Sequence, residues 1–504
     1  MNQSTYADVT PQPLRALRPP RPTALAWLGA LLVALLATLT VYDASPGLNW
    51  AVVSWSLAAG FALLDAYPLA ERRALLALSA ALAGVVAVSA NLGVQLPLAL
   101  ASAWVGAVAV LSDGVAPPGG LELSRAPWRA SRRVLGEAGE RLGEGVRGAS
   151  GQRGLPIVRG SALAVPVVAA FFALLAEADP TLAAWRSQLI AAIRDLSLLG
   201  RIAFFACAAT GALGLYGAAL RAYRRIPRDA GSGAQVPRPL TPVDQGIVLG
   251  AVATLFALFL LLQVSYLFGN PGGQAGSGLS YAEAVHRGFV EITLVVTLCA
   301  ALVLALERRT APSHPWSGRA LGLALTGECL LLLFSAAHRL ALYAAAYGYT
   351  RLRLYVAAYI VVVACALLAL AIELATRVDR ARLTRRVALT ALGAALVLGY
   401  WNHAAWIVDR NLERYARTGA VDLTYLTDGA GVDGLPALVH ALPGLDARTQ
   451  SCVLTALSSR YRRTFGPAAP RPAWYEWTLR GAAARAALAK LELADVPGGP
   501  DACR

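Results

Sequence analysis

Charge is what this chain has least of. Asp, Glu, Lys and Arg make up 15% of its 504 residues, against 57% hydrophobic, and mean hydropathy is +0.53. A soluble domain carries about 25% charged residues. The apolar residues gather in runs of about 20, long enough to cross a hydrocarbon core about 30 Å thick. An ordinary soluble enzyme is thereby excluded. Lysine occurs once, at Lys490, so the fixed cations are almost all arginine. Enrichment in Arg and Ala fits a GC-rich bacterial genome. A net charge of +15 and a pI near 9.9 would suggest nucleic acid on a soluble chain. No basic face on a soluble domain is visible here, so no nucleic-acid partner is expected. The arginines fall instead in alternate connections, as the positive-inside rule requires.

Histidine and cysteine are scarce too, at five and six residues. There is no C-x-x-C and no Cys/His spacing of the zinc type. Cys207, Cys299, Cys329 and Cys365 lie in apolar runs, where free cysteine behaves as a small hydrophobe. His286, His338 and His403 map to one depth, but on three separate helices; they read as interfacial histidines, and neither a metal nor a cofactor is expected. Catalytic signatures are missing as well: G-x-S-x-G, H-E-x-x-H, a Walker loop and the kinase set. The glycine-rich stretch 269–278 lacks the Lys-Ser/Thr that a phosphate loop needs.

What is present is a series of long apolar segments. The expected fold is all-α: a polytopic integral membrane bundle of about eleven transmembrane helices with a small C-terminal helical domain. Residues 1–22, rich in Pro and Arg, read as a disordered cytoplasmic tail. The apolar run behind Arg15, Arg18 and Arg21 reads as a signal anchor. A four-helix membrane region is expected at 23–112, with spans at 24–42, 50–66, 74–91 and 94–112. A basic cytoplasmic loop follows at 113–156. A seven-helix membrane core is expected at 157–408, its spans near 157–175, 202–220, 246–268, 281–306, 320–343, the segment ending at Glu373, and 387–406. A further helix, 181–196, should lie along the outer interface. The arginine bias places the N-terminus in the cytoplasm and the tail outside a bacterial cytoplasmic membrane.

Within the basic segment, Trp128, Val134, Leu135, Leu142 and Val146 follow a helical spacing. An amphipathic helix on an anionic leaflet is one reading. Gly136, Gly139, Gly143 and Gly145 disfavour a helix and leave a solvated loop as the blander one. The tail, 409–504, has helical periodicity at 411–417, 435–442, 447–461 and 474–493. Outside the membrane, Cys452 and Cys503 could pair, closing a loop of about 50 residues and contributing about 2–4 kcal/mol. Two free thiols are the alternative.

The chemistry-bearing residues gather in 319–373, read as two spans joined by a polar hairpin. Glu328, Ser335 and Arg339 are spaced by seven and four and share one helix face, with His338 to the side. On the preceding span, Glu283, Arg287 and Glu291 stand at i, i+4 and i+8 and share a face, with His286 beside them. Tyr343, Tyr347, Arg351, Arg353 and Tyr355 mark the hairpin and its exit. Ionisable groups at membrane depth are costly, so their presence asks for a reason. One reading is an outward-facing pocket in which Arg287 and Arg339 bind an anionic lipid headgroup or small solute and Glu328 relays a proton or cation. The other is a set of interhelical ion pairs under a tyrosine belt.

Several of these pieces resemble a known family. They are Glu177-Ala-Asp179-Pro180, Tyr266-Leu-Phe-Gly269, Leu279-Ser-Tyr281-Ala-Glu283 with Arg287-Gly-Phe-Val-Glu291, and His338-Arg339-Leu-Ala-Leu-Tyr343 with Tyr347-Gly-Tyr-Thr350-Arg351-Leu-Arg353. In the tail they are Asp409-Arg-Asn411-Leu-Glu-Arg414 and Gly419-Ala-Val-Asp422-Leu-Thr-Tyr425-Leu426. Together they resemble a bacterial multi-pass family catalogued as domain of unknown function 4173, formerly grouped under 4153. The resemblance implies an integral membrane protein and assigns no activity. The leading expectation is a non-enzymatic protein that senses or organises something at the outer face, with the lipid bilayer as its surroundings. A transporter would show an internal repeat and broken helices, and only Pro97 and Pro166 interrupt spans. An envelope enzyme would use Glu291, Glu328 or the histidines as acid and base.

Overall fold

The computed structural model describes residues 23–66, 68–112, 124–149, 197–220, 242–268, 289–309, 315–376, 378–466 and 469–491. The elements among them are helical: α1 (Thr23–Thr40), α2 (Leu48–Leu64), α3 (Ala70–Val88), α4 (Leu92–Leu111), α5 (Ala126–Ala149), α6 (Ser197–Leu220), α7 (Pro242–Phe268), α8 (Phe289–Arg309), α9 (Pro315–Tyr347), α10 (Arg351–Ala375), α11 (Arg380–Tyr400), α12 (His403–Thr418), α13 (Leu435–Ala441), α14 (Ala447–Phe465) and α15 (Leu479–Leu488). Six are long and apolar enough to cross a membrane: α1, α4, Leu199–Leu220 of α6, Gly318–Tyr347 of α9, α10 and α11. Shorter apolar helices lie at Leu48–Leu64, Val243–Leu258 and Val295–Glu307. The span expected at 157–175 and the interfacial helix at 181–196 lie outside the described residues.

Burial in α1 is inverted relative to a helix of a water-soluble bundle. In α1 the buried residues are Ala26, Ala30, Val33, Ala34, Ala37 and Thr40, while Leu28, Leu32, Leu35 and Leu39 are exposed. Small residues let backbones approach, and leucines turned outward suit lipid.

The chain divides into two compact units. The first comprises Met1–Gly84, Ala99–Val115 and Leu123–Ile226. Here α6 packs against α1, α2 and α5, around Ala30, Phe61, Leu213 and Tyr216. Buried Asn49 organises the α1–α2 turn: its Nδ2 donates to the Thr40 carbonyl at 2.7 Å, and its Oδ1 accepts from Gly47 N at 2.8 Å. After α2, Asp65 meets Arg72 at 2.7 Å, both side chains under 10% exposed, and Arg72 Nε donates to the Ala109 carbonyl. The arginine that marks this connection in the sequence is therefore also a buried clamp.

The second unit comprises Val85–Leu98, Ala116–Glu122 and Pro227–Arg504. In it α9 packs against α7, α8 and α10, and α10 against α11, around Leu249, Val296, Leu325, Leu332, Leu367 and Leu374. Glu373, fully buried at the end of α10, accepts Arg382 Nε at 2.6 Å and Arg386 Nη1 at 2.9 Å. Beyond α11 the tail helices enclose a core of Val408, Leu426, Leu438, Val453, Leu457 and Leu488. The sequence runs the last span through to Trp406, but α11 stops at Tyr400 and α12 starts at His403. Asn402 is the reason: its side chain accepts Ala405 N at 3.2 Å, capping a new helix.

Candidate functional site

The hairpin between α9 and α10 turns on Gly348, whose φ of +85° suits a residue without Cβ. A Cβ there would also stand 2.5 Å from Asn411 Oδ1. Asn411, from α12, clamps the turn by pairing with both backbone groups of Tyr349: Nδ2 donates to its carbonyl at 2.8 Å, and Oδ1 accepts its N–H at 2.7 Å. Thr350 caps α10 by accepting Arg353 N at 3.3 Å.

The last carbonyls of α9 lack helical partners, and two arginines take them. Arg353 donates to the carbonyls of Tyr347, at 3.2 Å, and Gly348. Its guanidinium also lies 4.2 Å from the centre of the Tyr343 ring, which packs on Tyr347 at 4.9 Å. Arg414 donates to the Ala346 carbonyl at 2.6 Å and the Ala420 carbonyl at 3.0 Å. Arg351 gives its backbone N–H to the Tyr425 hydroxyl at 2.6 Å. Burial pushes that phenol above its ordinary pKa.

A second node centres on Asp433, 1% exposed, in the short turn before α13. Its carboxylate accepts Ser89 Oγ at 2.6 Å, Ala90 N at 2.8 Å and Arg480 Nη1 at 3.1 Å. Arg480, 5% exposed on α15, spends its other nitrogen on the carbonyls of Gly399 (3.1 Å) and Tyr400 (2.9 Å). One buried ion pair thus joins the tail to the α3–α4 turn and to the end of α11. Beside it, buried His403 places Nδ1 3.0 Å from the Leu398 carbonyl and Nε2 3.0 Å from the Tyr355 hydroxyl. A carbonyl only accepts, so Nδ1 carries the proton and Nε2 accepts from the phenol. Burial lowers the pKa of His403, in keeping with a neutral ring.

The residues singled out in the sequence fall into separate places. Glu283, His286 and Arg287 lie outside the described residues, and Glu291 falls on α8. Tyr343, Arg351 and Arg353 belong to the hairpin. On α9, Ser335 is buried, Arg339 half-buried and His338 exposed. Glu328 stands eleven residues before Arg339, about 16 Å along the helix axis. One of its carboxylate oxygens, Oε2, is buried without a hydrogen-bond partner among the described residues. No group of three His, Cys, Asp or Glu that could hold a metal ion occurs among the described residues. Cys452 is disulfide-bonded, whereas Cys207, Cys299, Cys329 and Cys365 are free; Cys503 lies outside the described residues.

Sequence reading missed Asp433, Arg480 and Ser89. Asp433 lies between Val432 and Gly434 and matches no motif, and its partners are 344 and 47 positions away. Asn411 did fall within a motif that carried the resemblance, though without a role.

Fold and site define an all-helical protein with membrane-length apolar helices and C-terminal helices held to helix ends by the Asp433–Arg480 node. A family described as a domain of unknown function (DUF4153) matches residues 23–441, and the chain belongs to it. No curated protein and no solved structure matches the chain.

Proposed function

We propose that this is a non-enzymatic protein of a bacterial cytoplasmic membrane, with about eleven spans, that senses or organises envelope components through its tail. In this reading the N-terminus is cytoplasmic, the tail is extracytoplasmic, and Cys452 pairs with Cys503. The bridge at Cys452 supports that side, because disulfides persist in oxidising compartments. The observation that carries the reading is the buried Asp433–Arg480 pair, held by Ser89, Ala90, Gly399 and Tyr400. A domain fixed this firmly to helix ends transmits a load or a binding event into the bundle, and the exposed tail surface is where an anionic lipid or small solute would act.

Glu328 supports a second reading, transport of a solute or lipid, because a carboxylate oxygen without a partner amid apolar helices is costly to keep. A deletion strain tests both. Under the first reading, Asn411→Ala at normal membrane abundance loses complementation while Glu328→Gln retains it. The opposite pattern would overturn the first reading in favour of transport. Labelling of a cysteine introduced at Ala469 by an impermeant reagent in intact cells checks the side of the tail; labelling only after lysis would place it in the cytoplasm.

A further inference from the structure

We infer that α5 is an interfacial helix whose outer stripe docks onto an anionic membrane leaflet. Among the described residues one side of the helix is packed. Ala126, Ala130 and Ala138 are at most 5% exposed, and the backbone at Val134 comes so close to α6 that a Cβ on Gly214 would stand 2.0 Å from the Val134 carbonyl oxygen. Arg133 fastens this face to the helix ends: it donates to the Val110 carbonyl at 2.8 Å and to the Ala218 carbonyl at 3.4 Å. Tertiary packing therefore overrides the glycines that disfavour a helix here.

On the opposite side of α5 a row of apolar side chains is exposed among the described residues. Trp128 is 69% exposed, Leu135 61% and Leu142 37%. They are seven residues apart, so they form one stripe that drifts by about 20° at each step. Exposed Arg125, Arg129 and Arg132 flank it. The contacts with Val110 and Ala218 set the depth. Both residues lie within two positions of the ends of α4 and α6, where membrane-length helices leave the hydrocarbon. Trp and Leu suit the acyl boundary at that level, and arginines beside them suit anionic headgroups. Charge and depth together favour a lipid surface over a protein partner. The inference rests on α4 and α6 being spans, as the proposed function has it.

The test is collisional accessibility of a nitroxide on the full chain in nanodiscs, in a Cys207→Ser, Cys365→Ser background. Labels go at Leu135→Cys, Leu142→Cys, Gly136→Cys and, as a lipid-facing control on α4, Leu100→Cys. In phosphatidylcholine with a quarter phosphatidylglycerol, the ratio of oxygen to nickel-chelate collisions at 135 and 142 should exceed that at 136 by about threefold. Replacing Arg125, Arg129 and Arg132 by Gln should reduce the ratio, and phosphatidylcholine alone should reduce it too. An oxygen-rich signal at 100 with nickel-accessible labels at 135 and 142 would overturn the docking inference alone and leave the stripe to a protein partner. A nickel-accessible label at 100 would overturn the membrane reading beneath it.

Discussion

Asp433 and Glu328 belong to the same unit, and both bring a carboxylate oxygen into the interior. Asp433 takes three donors from two separate segments, the α3–α4 turn supplying two and α15 one. Glu328 sits in a run of leucines with Oε2 unmatched among the described residues. A buried acid with both oxygens engaged is part of how the chain holds together, and removing it strands its partners. A partly buried acid with one oxygen unmatched among the described residues should add little to stability. The same contrast applies to the arginines. Arg353 and Arg414 both donate to the last carbonyls of α9, and so help to close the hairpin.

The comparison breaks most easily at Asp433. Asp433→Ala leaves Arg480 buried without its carboxylate and should cost about 3–5 kcal/mol, seen as tail release in limited proteolysis of the detergent-solubilised protein. Asn411→Ala should cost about 1–3 kcal/mol, because Tyr349 loses partners for both backbone groups; the same assay reads it. A smaller effect should follow pH. The pKa of His403 is lowered in the folded chain, so the unfolded state takes up the proton first. Stability is full above about pH 6.5 and falls as pH drops from there towards the folded pKa. Asp446, whose carboxyl is held well below its usual range by hydrogen bonds from Tyr415 and Thr449, acts only at far lower pH. His403→Gln should flatten the decline in a thermal scan between pH 7 and 5. Glu328→Gln should change stability least, by less than about 1 kcal/mol. A loss as large as that of Asp433→Ala would erase the contrast.

The sequence displayed the helices through apolar length, and the arginines marked connections, because both signals are local. The hairpin was legible for the same reason, although Gly348 and Thr350 were given no role in it. The break at Asn402 was less so, since an asparagine inside an apolar run reads as a polar residue of the span until its capping bond is seen. The α5 segment reads first as a loop in the sequence, whereas Ala126–Ala149 is helical; Gly214, which admits α5, lies 80 positions from Val134. The Asp433 node was invisible. Its parts come from Ser89, Gly399, Asp433 and Arg480, and only the folded chain assembles them.

The most direct test is a double-mutant cycle on Asp433→Asn and Arg480→Gln, read as the free energy of tail release by proteolysis in nanodiscs. A latch made by these two side chains should give a coupling of about 2 kcal/mol or more. A coupling near zero, with each variant retaining the tail as the parent does, would contradict it.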